Sequence, residues 1–402
     1  MFFRQTTHPF SEHLVKSFYF YGALCYDGSM ADESMEKKPA ERRKISPNLV
    51  RLILSLGLVL ATFGLMFLFD RFPGWFFPWY REVSRFLLKI ISNVVSIVPF
   101  ALWEVLIVLL VLGILATLVV VIIKRKKFFL WATSVLLIVS LIFTSFTVIW
   151  GLDHYAPELS AELGLEIRQY TKDELKKATV YYMDKAAELA KQVPRDENGL
   201  LDRSSYDEWL VTAGKSYEKL SETMPVFRGA TAPVKQSAIF WKVLSYMGIT
   251  GIFIDVTAES TVNPDAFVSG LPFTMCHEAA HRLTIAGEDE ANFAAFLAAS
   301  SSDDLIFQYS AYYCASIYVY NALYSADSGA ARALWTESRE QLRLDYSAAG
   351  KHYDQYEGKV KEVSDKINDT YLKTYSEPSG VQSYGEVADY LIAWYLRETT
   401  AP

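Results

Sequence analysis

Three long apolar runs constrain this chain more than any other feature. They cover residues 52–69, 103–123 and 128–150 of the 402-residue sequence. The first and third carry no charged side chain, and the second carries one, Glu104, near its start. Helices buried in a globular core keep a polar face, which these runs lack, and each run is long enough to cross a bilayer as a helix. The sequence therefore predicts three membrane spans, with the lipid bilayer as a partner.

The segment between the first two runs has a different pattern. Trp75, Trp79 and Tyr80 suit a membrane–water interface. Over residues 83–98, charged and small polar side chains recur at helical spacing against apolar ones. This pattern predicts an amphipathic helix that lies on the membrane surface. A fourth span is the competing interpretation.

Basic residues set the expected orientation of the spans. A basic cluster at residues 37–44 precedes the first run, and four consecutive basic residues at 124–127 separate the second run from the third. Loops rich in Lys and Arg stay in the cytoplasm, so the chain after the third span is expected outside it. A multi-pass protein with an extracytoplasmic C-terminal part follows.

The expected domain organisation has three parts. Residues 1–48 are expected to be a cytoplasmic, disordered segment, because they are polar and mixed in composition. Met30 and Met35 lie inside this segment and leave a later natural start open. Residues 49–152 form the membrane region, and residues 153–402 have the composition of a folded extracytoplasmic domain.

The last domain is expected to be rich in α-helix, with a small sheet, which makes the whole chain mainly α. The clearest strand is M-G-I-T-G-I-F-I-D-V-T at residues 247–257, where β-branched residues follow glycines. The periodicity of apolar residues predicts helices over residues 173–192, 204–224, 304–324 and 386–396, with one or two charged helices over 332–372.

The pattern H-E-x-x-H, formed by His277, Glu278 and His281, is the main chemical signal. Residues four apart share one face of a helix, so both imidazoles can bind a single Zn²⁺ while Glu278 reaches a metal-bound water. The neighbouring Cys276 faces another way and is expected to be a small buried core residue. It is one of three cysteines, too few for a disulfide framework.

A catalytic zinc needs a third protein ligand, which should come from the helix that follows Gly287. Glu288 and Glu290 are the candidates. Glu288 shares a helix face with Asn292, so that one of the two could bind the metal while the other supports a ligand histidine. Facing favours Glu288, and Glu290 is the alternative.

These residues resemble the gluzincin-type zinc peptidases, in which H-E-x-x-H is followed by a helix with Glu-x-x-Ala-Asp or Glu-x-x-Ala-Asn. The resemblance implies that His277, His281 and Glu288 are zinc ligands and that Glu278 is the general base. Asn292 stands where many such enzymes have Asp, and the two motifs lie unusually close together here.

The layout also resembles a family of bacterial membrane proteins known only as a domain of unknown function, with N-terminal spans, a W-G-L junction and a zincin-like domain. The motifs that carry this resemblance are Trp150-Gly151-Leu152, L-P-F-T-M-C-H-E-A-A-H, E-D-E-A-N-F, N-D-T-Y-L-K and G-V-Q-S-Y-G. It covers about residues 50–396. It implies a zincin-like domain anchored in the plasma (inner) membrane and gives no substrate.

Two further features bear on a catalytic cleft. In zincins a strand placed like residues 247–257 pairs with an extended substrate, although a purely structural strand is an equal interpretation. A loop at residues 369–385 could return to the cleft, where Tyr371 or Tyr384 could donate a hydrogen bond to an oxyanion.

The sequence thus predicts a membrane-anchored zinc metallopeptidase that acts on a peptide or protein. The net charge of −7 argues against a nucleic-acid partner. Two other classes compete: a metal-binding sensor or scaffold of the cell envelope that does not cleave, and a membrane structural protein whose H-E-x-x-H is incidental.

Overall fold

The computed structural model describes residues 46–375 and 383–400. It is mainly helical, with one small mixed sheet, as predicted. Three helices are long and apolar enough to cross a membrane: α1 (Pro47–Arg71), α3 (Leu102–Ile123) and α4 (Phe128–Ile149). They coincide with the three apolar runs. By length and composition these helices indicate membrane association.

Helices α1 and α4 pack along each other. The hydroxyls of Thr62 and Thr144 share a hydrogen bond of 2.9 Å, and the rings of Phe63 and Phe143 lie 5.8 Å apart. In this pair each hydroxyl finds its hydrogen-bond partner inside the protein. A polar group in a hydrocarbon layer needs such a partner, because lipid offers none. The contact ties the first membrane-length helix to the third.

Helix α2 (Pro73–Val95) follows α1 after a single residue, and the fixed φ of Pro73 suits the first position of a helix. The predicted amphipathic helix is therefore present but starts ten residues earlier than residue 83. Its buried face combines Ser84 and Ser92 with three larger side chains, Phe77, Tyr80 and Leu88, whereas Trp75 is 84% exposed. Among the described residues α2 is not one of the helices apolar enough to span a membrane.

Most of the described residues after Trp150 lie in short and medium helices. These are α5 (Leu159–Glu162), α6 (Lys172–Ala190), α7 (Tyr206–Lys215), α8 (Glu218–Thr223), α9 (Trp241–Tyr246), α10 (Leu271–Arg282), α11 (Glu288–Ser300), α12 (Leu305–Ala326), α13 (Ser328–Arg332), α14 (Glu340–Asp354), α15 (Lys359–Thr374) and α16 (Ser383–Thr400). Helix α6 begins with a capping box between Thr171 and Glu174, which satisfies two free backbone N–H groups.

The prediction of a single helix over residues 204–224 is wrong, because two helices, α7 and α8, occupy this segment. The break falls at Ser216 and Tyr217. Tyr217 is buried and its hydroxyl donates to the carbonyl of Cys276 at 3.0 Å. The break thus lets a side chain of this segment reach the helix that carries H-E-x-x-H. Cys276 is fully buried, as predicted.

The core of this part surrounds the alanine-rich helix α11. Its residues from Ala291 to Ala299 are all buried, and it packs against α10, α12 and α16. Alanine side chains allow helices to approach closely, and the larger Phe293 and Phe296 fill the space between them. This packing fixes the start of α11 relative to α10.

The sheet consists of β1 (Lys235–Gln236), β2 (Gly251–Ile254) and β3 (Glu259–Val262) in the order β1-β3-β2. β1 runs parallel to β3, and β2 runs antiparallel to it with Gly251 opposite Val262. The strand predicted over residues 247–257 is real but shorter, because the chain turns back after Ile254. In the order β1-β3-β2, β2 pairs with β3 alone among the described strands, so it is an edge strand.

Two carboxylates fasten the start of α3 to this sheet. Glu104 is 1% exposed and accepts hydrogen bonds from the Ser237 hydroxyl at 2.5 Å and from the backbone N–H groups of residues 238, 239 and 240 at 2.9–3.0 Å. In return, Glu259 of β3 accepts from the N–H groups of Leu102 and Trp103 at 2.8 and 2.9 Å. These are free N–H groups at a helix start, where a carboxylate is favourable.

We expect Glu104→Ala to destabilise the protein by on the order of 3 kcal/mol, because it leaves the buried Ser237 hydroxyl and three backbone N–H groups without their acceptor. Thermal unfolding of the detergent-solubilised full chain measures the effect as a lower midpoint. The matched control is Glu82→Ala on α2, whose side chain is 77% exposed. Equal midpoints for the two variants would contradict this role of Glu104.

Candidate metal centre

Helix α10 presents the H-E-x-x-H residues. Pro272 occupies its first turn and the helix ends at Arg282, so His277 and His281 are one turn apart on the same side. Their Nε2 atoms face each other at 3.1 Å. The predicted helical placement of the motif is confirmed.

Glu288 is the third member of the cluster. The chain turns between α10 and α11 with Thr284 at a φ of 70°, and Glu288 is the first residue of α11. Its Oε2 lies 3.2 Å from the Nε2 of His277 and 3.8 Å from the Nε2 of His281. One ligand atom from each of the three residues lies within 4.8 Å of the other two, so this group could hold a metal ion.

His281 is held on both sides. Its Nδ1 lies 2.8 Å from the carbonyl oxygen of Ile285, which fixes the proton on Nδ1 and leaves Nε2 with a free lone pair. The indole N–H of Trp150 donates to the backbone carbonyl of His281 at 3.0 Å, and the two rings meet edge to face. The end of α4 thus contacts a histidine of the cluster.

The charges of the cluster are strongly coupled. Burial lowers the pKa of His281 to about 4, against the opposing effect of Glu288. Burial also acts to lower the pKa of His277, but the hydrogen bond and the charge of Glu288 outweigh it and raise that pKa. Burial works to raise the pKa of Glu288, and the two histidines together hold it at about 2. Glu288 is therefore ionised.

Glu278 lies next to the cluster and is 4% exposed. Burial raises its pKa to about 8, with the charge of His277 opposing and that of Glu288 adding. Its Oε2 has no hydrogen-bond partner among the described residues. Its backbone carbonyl accepts from the Ser260 hydroxyl of β3 at 2.6 Å, so the sheet positions this residue of α10.

Gly251 of β2 lies directly against the Glu278 carboxylate. A Cβ atom at position 251 would come 2.3 Å from Oε1 of Glu278. Only a residue without a side chain allows the strand to approach so closely. This close approach was not foreseen, although a glycine inside a strand pattern is a signal for it.

The alternative ligand Glu290 points elsewhere. Its Oε1 accepts from the backbone N–H of Leu159 at 2.6 Å and from the Tyr390 hydroxyl at 3.3 Å. Asn292 faces His277 and helps to raise the pKa of that histidine, and its Oδ1 accepts from Tyr318 at 3.1 Å. His277 Nδ1 itself has no partner at hydrogen-bond distance among the described residues.

Of the two predicted tyrosines, Tyr371 belongs to α15 and its hydroxyl lies 3.0 Å from Nε2 of His154. The side chain of Tyr384 lies outside the described residues. His154 was missed by the sequence reasoning. It packs edge to face on Trp150, and its charge acts on both His281 and Glu288. The available signal was its position four residues after Trp150 in a chain with only six histidines.

Fold and site together define a mainly helical protein with three membrane-length helices and a His-His-Glu cluster, in which His281 is buried and His277 and Glu288 are half-buried. Residues 79–392 match the model of a family described as a protein of unknown function (DUF3810), and the chain belongs to that family. The predicted membership of a domain family of unknown function is confirmed. No curated protein and no solved structure matches the chain.

We expect Gly251→Ala to destabilise the protein by about 1–3 kcal/mol, because the new methyl group overlaps the Glu278 carboxylate. Thermal unfolding measures this. Gly270→Ala is the control, since a Cβ there would meet only Cys314 Sγ at 3.7 Å. In a double-mutant cycle, Glu278→Ala should remove most of the cost of Gly251→Ala. Additive effects would place the clash elsewhere.

Proposed function

We propose that the protein is a zinc metallopeptidase that hydrolyses peptide bonds, with His277, His281 and Glu288 as the metal ligands. The observation that carries the proposal is the convergence of these three ligand atoms with a fourth residue, Glu278, buried beside them. A metal-binding sensor or scaffold would need the first three residues, but it would have no use for a buried carboxyl group whose Oε2 has no hydrogen-bond partner among the described residues.

The donor set suits zinc. Two imidazole nitrogens and one carboxylate oxygen form a common catalytic zinc set that leaves a fourth position open. Ligands at about 2.0–2.1 Å in a tetrahedron are separated by about 3.3 Å, and the three separations here are 3.1, 3.2 and 3.8 Å. The hydrogen bond from His281 Nδ1 to Ile285 supports the ligand tautomer in the way that outer partners of zinc histidines usually do.

The residues around the cluster supply the remaining chemistry. Zinc, when bound, polarises the scissile carbonyl and lowers the pKa of its water. Glu278 takes the proton of the attacking water and passes it to the leaving amine. Burial raises the pKa of Glu278 to about 8, and a cation held by the three ligands would lower it toward the range of a general base. The backbone of Gly251 packs directly against the Glu278 carboxylate and limits its movement.

The edge strand β2 is the proposed binding site for substrate backbone. It lies at the border of the sheet and contacts Glu278 through Gly251. An extended peptide could add to this edge by main-chain hydrogen bonds, which would bring a scissile bond close to the cluster. His154, whose Nε2 lies 3.0 Å from the Tyr371 hydroxyl, is a further candidate to contact the substrate. Tyr371 and Tyr384 are the candidates to donate a hydrogen bond to the oxyanion.

We further propose that the three membrane-length helices span the plasma (inner) membrane and that the domain after residue 152 is extracytoplasmic. The support is the basic residues at 37–44 and 124–127, which the positive-inside rule places in the cytoplasm. Helix α2 then lies at the outer interface with its apolar face toward lipid.

Glu278→Gln is expected to retain about one zinc per chain and to lose peptide hydrolysis, because the amide cannot accept the proton of the water. Zinc content by metal analysis and cleavage of a quenched fluorescent peptide library are the two measurements. Glu290→Gln, which changes a half-buried carboxyl group outside the cluster, is the matched control. Zinc binding without any cleavage by the wild-type chain would favour a sensor or scaffold, and wild-type cleavage by Glu278→Gln would refute the assigned base.

Glu288→Ala is expected to weaken zinc binding at least 10–100-fold, because it removes a ligand. Glu290→Ala should leave zinc affinity close to that of the wild type, since its carboxylate contacts Leu159 and Tyr390 instead. Zinc titrations of both single variants measure the difference. A larger loss in Glu290→Ala would reverse the assignment.

A further inference from the structure

Helix α15 has three distinct faces. Ser364 and Leu372 on one face are buried against the protein. A second face carries charged residues, among them Glu362 and Asp365. The third face is apolar and exposed: it consists of Val360, Val363 and Ile367, which are 55%, 56% and 65% exposed and recur at helical spacing.

The C-terminal end of α15 is attached to the last membrane-length helix. The hydroxyls of Tyr375 and Thr147 share a hydrogen bond of 2.9 Å. The rings of Tyr371 and Tyr375 lie 6.0 and 5.6 Å from the ring of Phe146. Gly151 allows this contact, because a Cβ there would come 2.8 Å from the Tyr375 ring. The position of α15 relative to α4 is thus fixed by side-chain contacts.

Between the two helices lies an apolar groove of about 520 Å³, with Phe143 of α4 on one wall and Val363 and Ile367 of α15 on the other. Phe143 is six residues before the end of α4, which is about 9 Å along a helix. Helix α4 has 22 residues, about 33 Å in length, against a hydrocarbon core of about 30 Å. If α4 spans a bilayer, Phe143 lies inside the hydrocarbon layer, and so do the side chains that share its groove.

We propose that the groove between α4 and α15 binds an acyl chain of the surrounding bilayer, and that α15 lies in the outer interface of the membrane with its Val360–Val363–Ile367 face in lipid. The continuity of this face with the surface of a membrane-length helix carries the proposal. Lys366 lines the same groove, and a lysine stem can lie along an apolar surface while its charged end reaches the headgroups. The proposal rests on α4 spanning the membrane and is independent of zinc and of peptidase activity.

If an acyl chain occupies the groove, a fluorescent probe at position 363 or 367 of α15 contacts lipid, whereas a probe on the charged face of α15 contacts water. The full chain is reconstituted in phospholipid nanodiscs with a single added cysteine, carrying a fluorophore, at Val363→Cys or Ile367→Cys. Glu362→Cys and Asp365→Cys on the charged face are the matched controls, and Leu136→Cys in the middle of α4 is the reference for full burial in lipid. The unsubstituted chain, labelled in parallel, gives the contribution of Cys25, Cys276 and Cys314.

Phospholipids brominated on the acyl chain should quench the probes at 363 and 367 several-fold more than those at 362 and 365, and aqueous iodide should show the reverse order. Iodide quenching at 363 and 367 equal to that of the controls would overturn the proposal, because the groove would then face water. Protection from both quenchers would also overturn it, since protein would cover the face. A probe at 136 that lipid fails to quench would remove the span on which the proposal rests.

Discussion

A polar group buried at the end of a membrane-length helix must find a partner within the protein, because leaving it without a hydrogen bond costs free energy. This requirement organises the described structure. The free N–H groups at the start of α3 are satisfied by Glu259, a residue of the sheet, and Glu104 of α3 is satisfied by the loop after β1. Lys235 completes the set by contacting Glu259 at 2.7 Å. Since β3 carries Glu259 and also holds the carbonyl of Glu278 through Ser260, the same strand contacts both a membrane-length helix and the candidate site.

The other side of the site depends on the end of α4 in a similar way. Trp150 follows the last residue of α4 and donates its indole N–H to the carbonyl of His281. Helix α2 strengthens the junction, because Ser84 lies 2.7 Å from the carbonyl oxygen at the end of α4 and Arg85 donates to Thr284 just after α10. The H-E-x-x-H helix is therefore held between two membrane-length helix ends, one acting through the sheet and one through an indole. A shift of the α4 end would act on His281, and a shift of the α3 end would act through the sheet on Glu278.

Local features of the sequence were sufficient for part of this structure. The three apolar runs predicted their helices because the lack of a polar face is visible within each run, and the spacing of His277 and His281 predicted their common face. Glu288 was favoured over Glu290 on facing alone, and the structure places it beside both histidines. Strand β3 could not be predicted, since E-S-T-V is short and polar. Its burial depends on partners far away in sequence, such as the Trp103 indole on Thr261. The packing of α2 against the end of α4 and against Thr284 could not be predicted either, because these partners are also distant in sequence.

The cluster lies close to the end of α4, and this position bears on which substrates the proposed peptidase could reach. Trp150 is in contact with His281 on one side and follows Ile149, the last residue of α4, on the other. With α4 across a bilayer, a single indole would separate the ligand histidine from the end of the span, so the cluster would lie at the membrane surface. A soluble peptide would have to reach a site bordered by lipid, whereas a chain anchored in the same membrane would already be held at that height. Confinement to a surface raises the effective concentration of such a chain. For the proposed peptidase, this arrangement would therefore favour peptide bonds close to a membrane anchor as substrates.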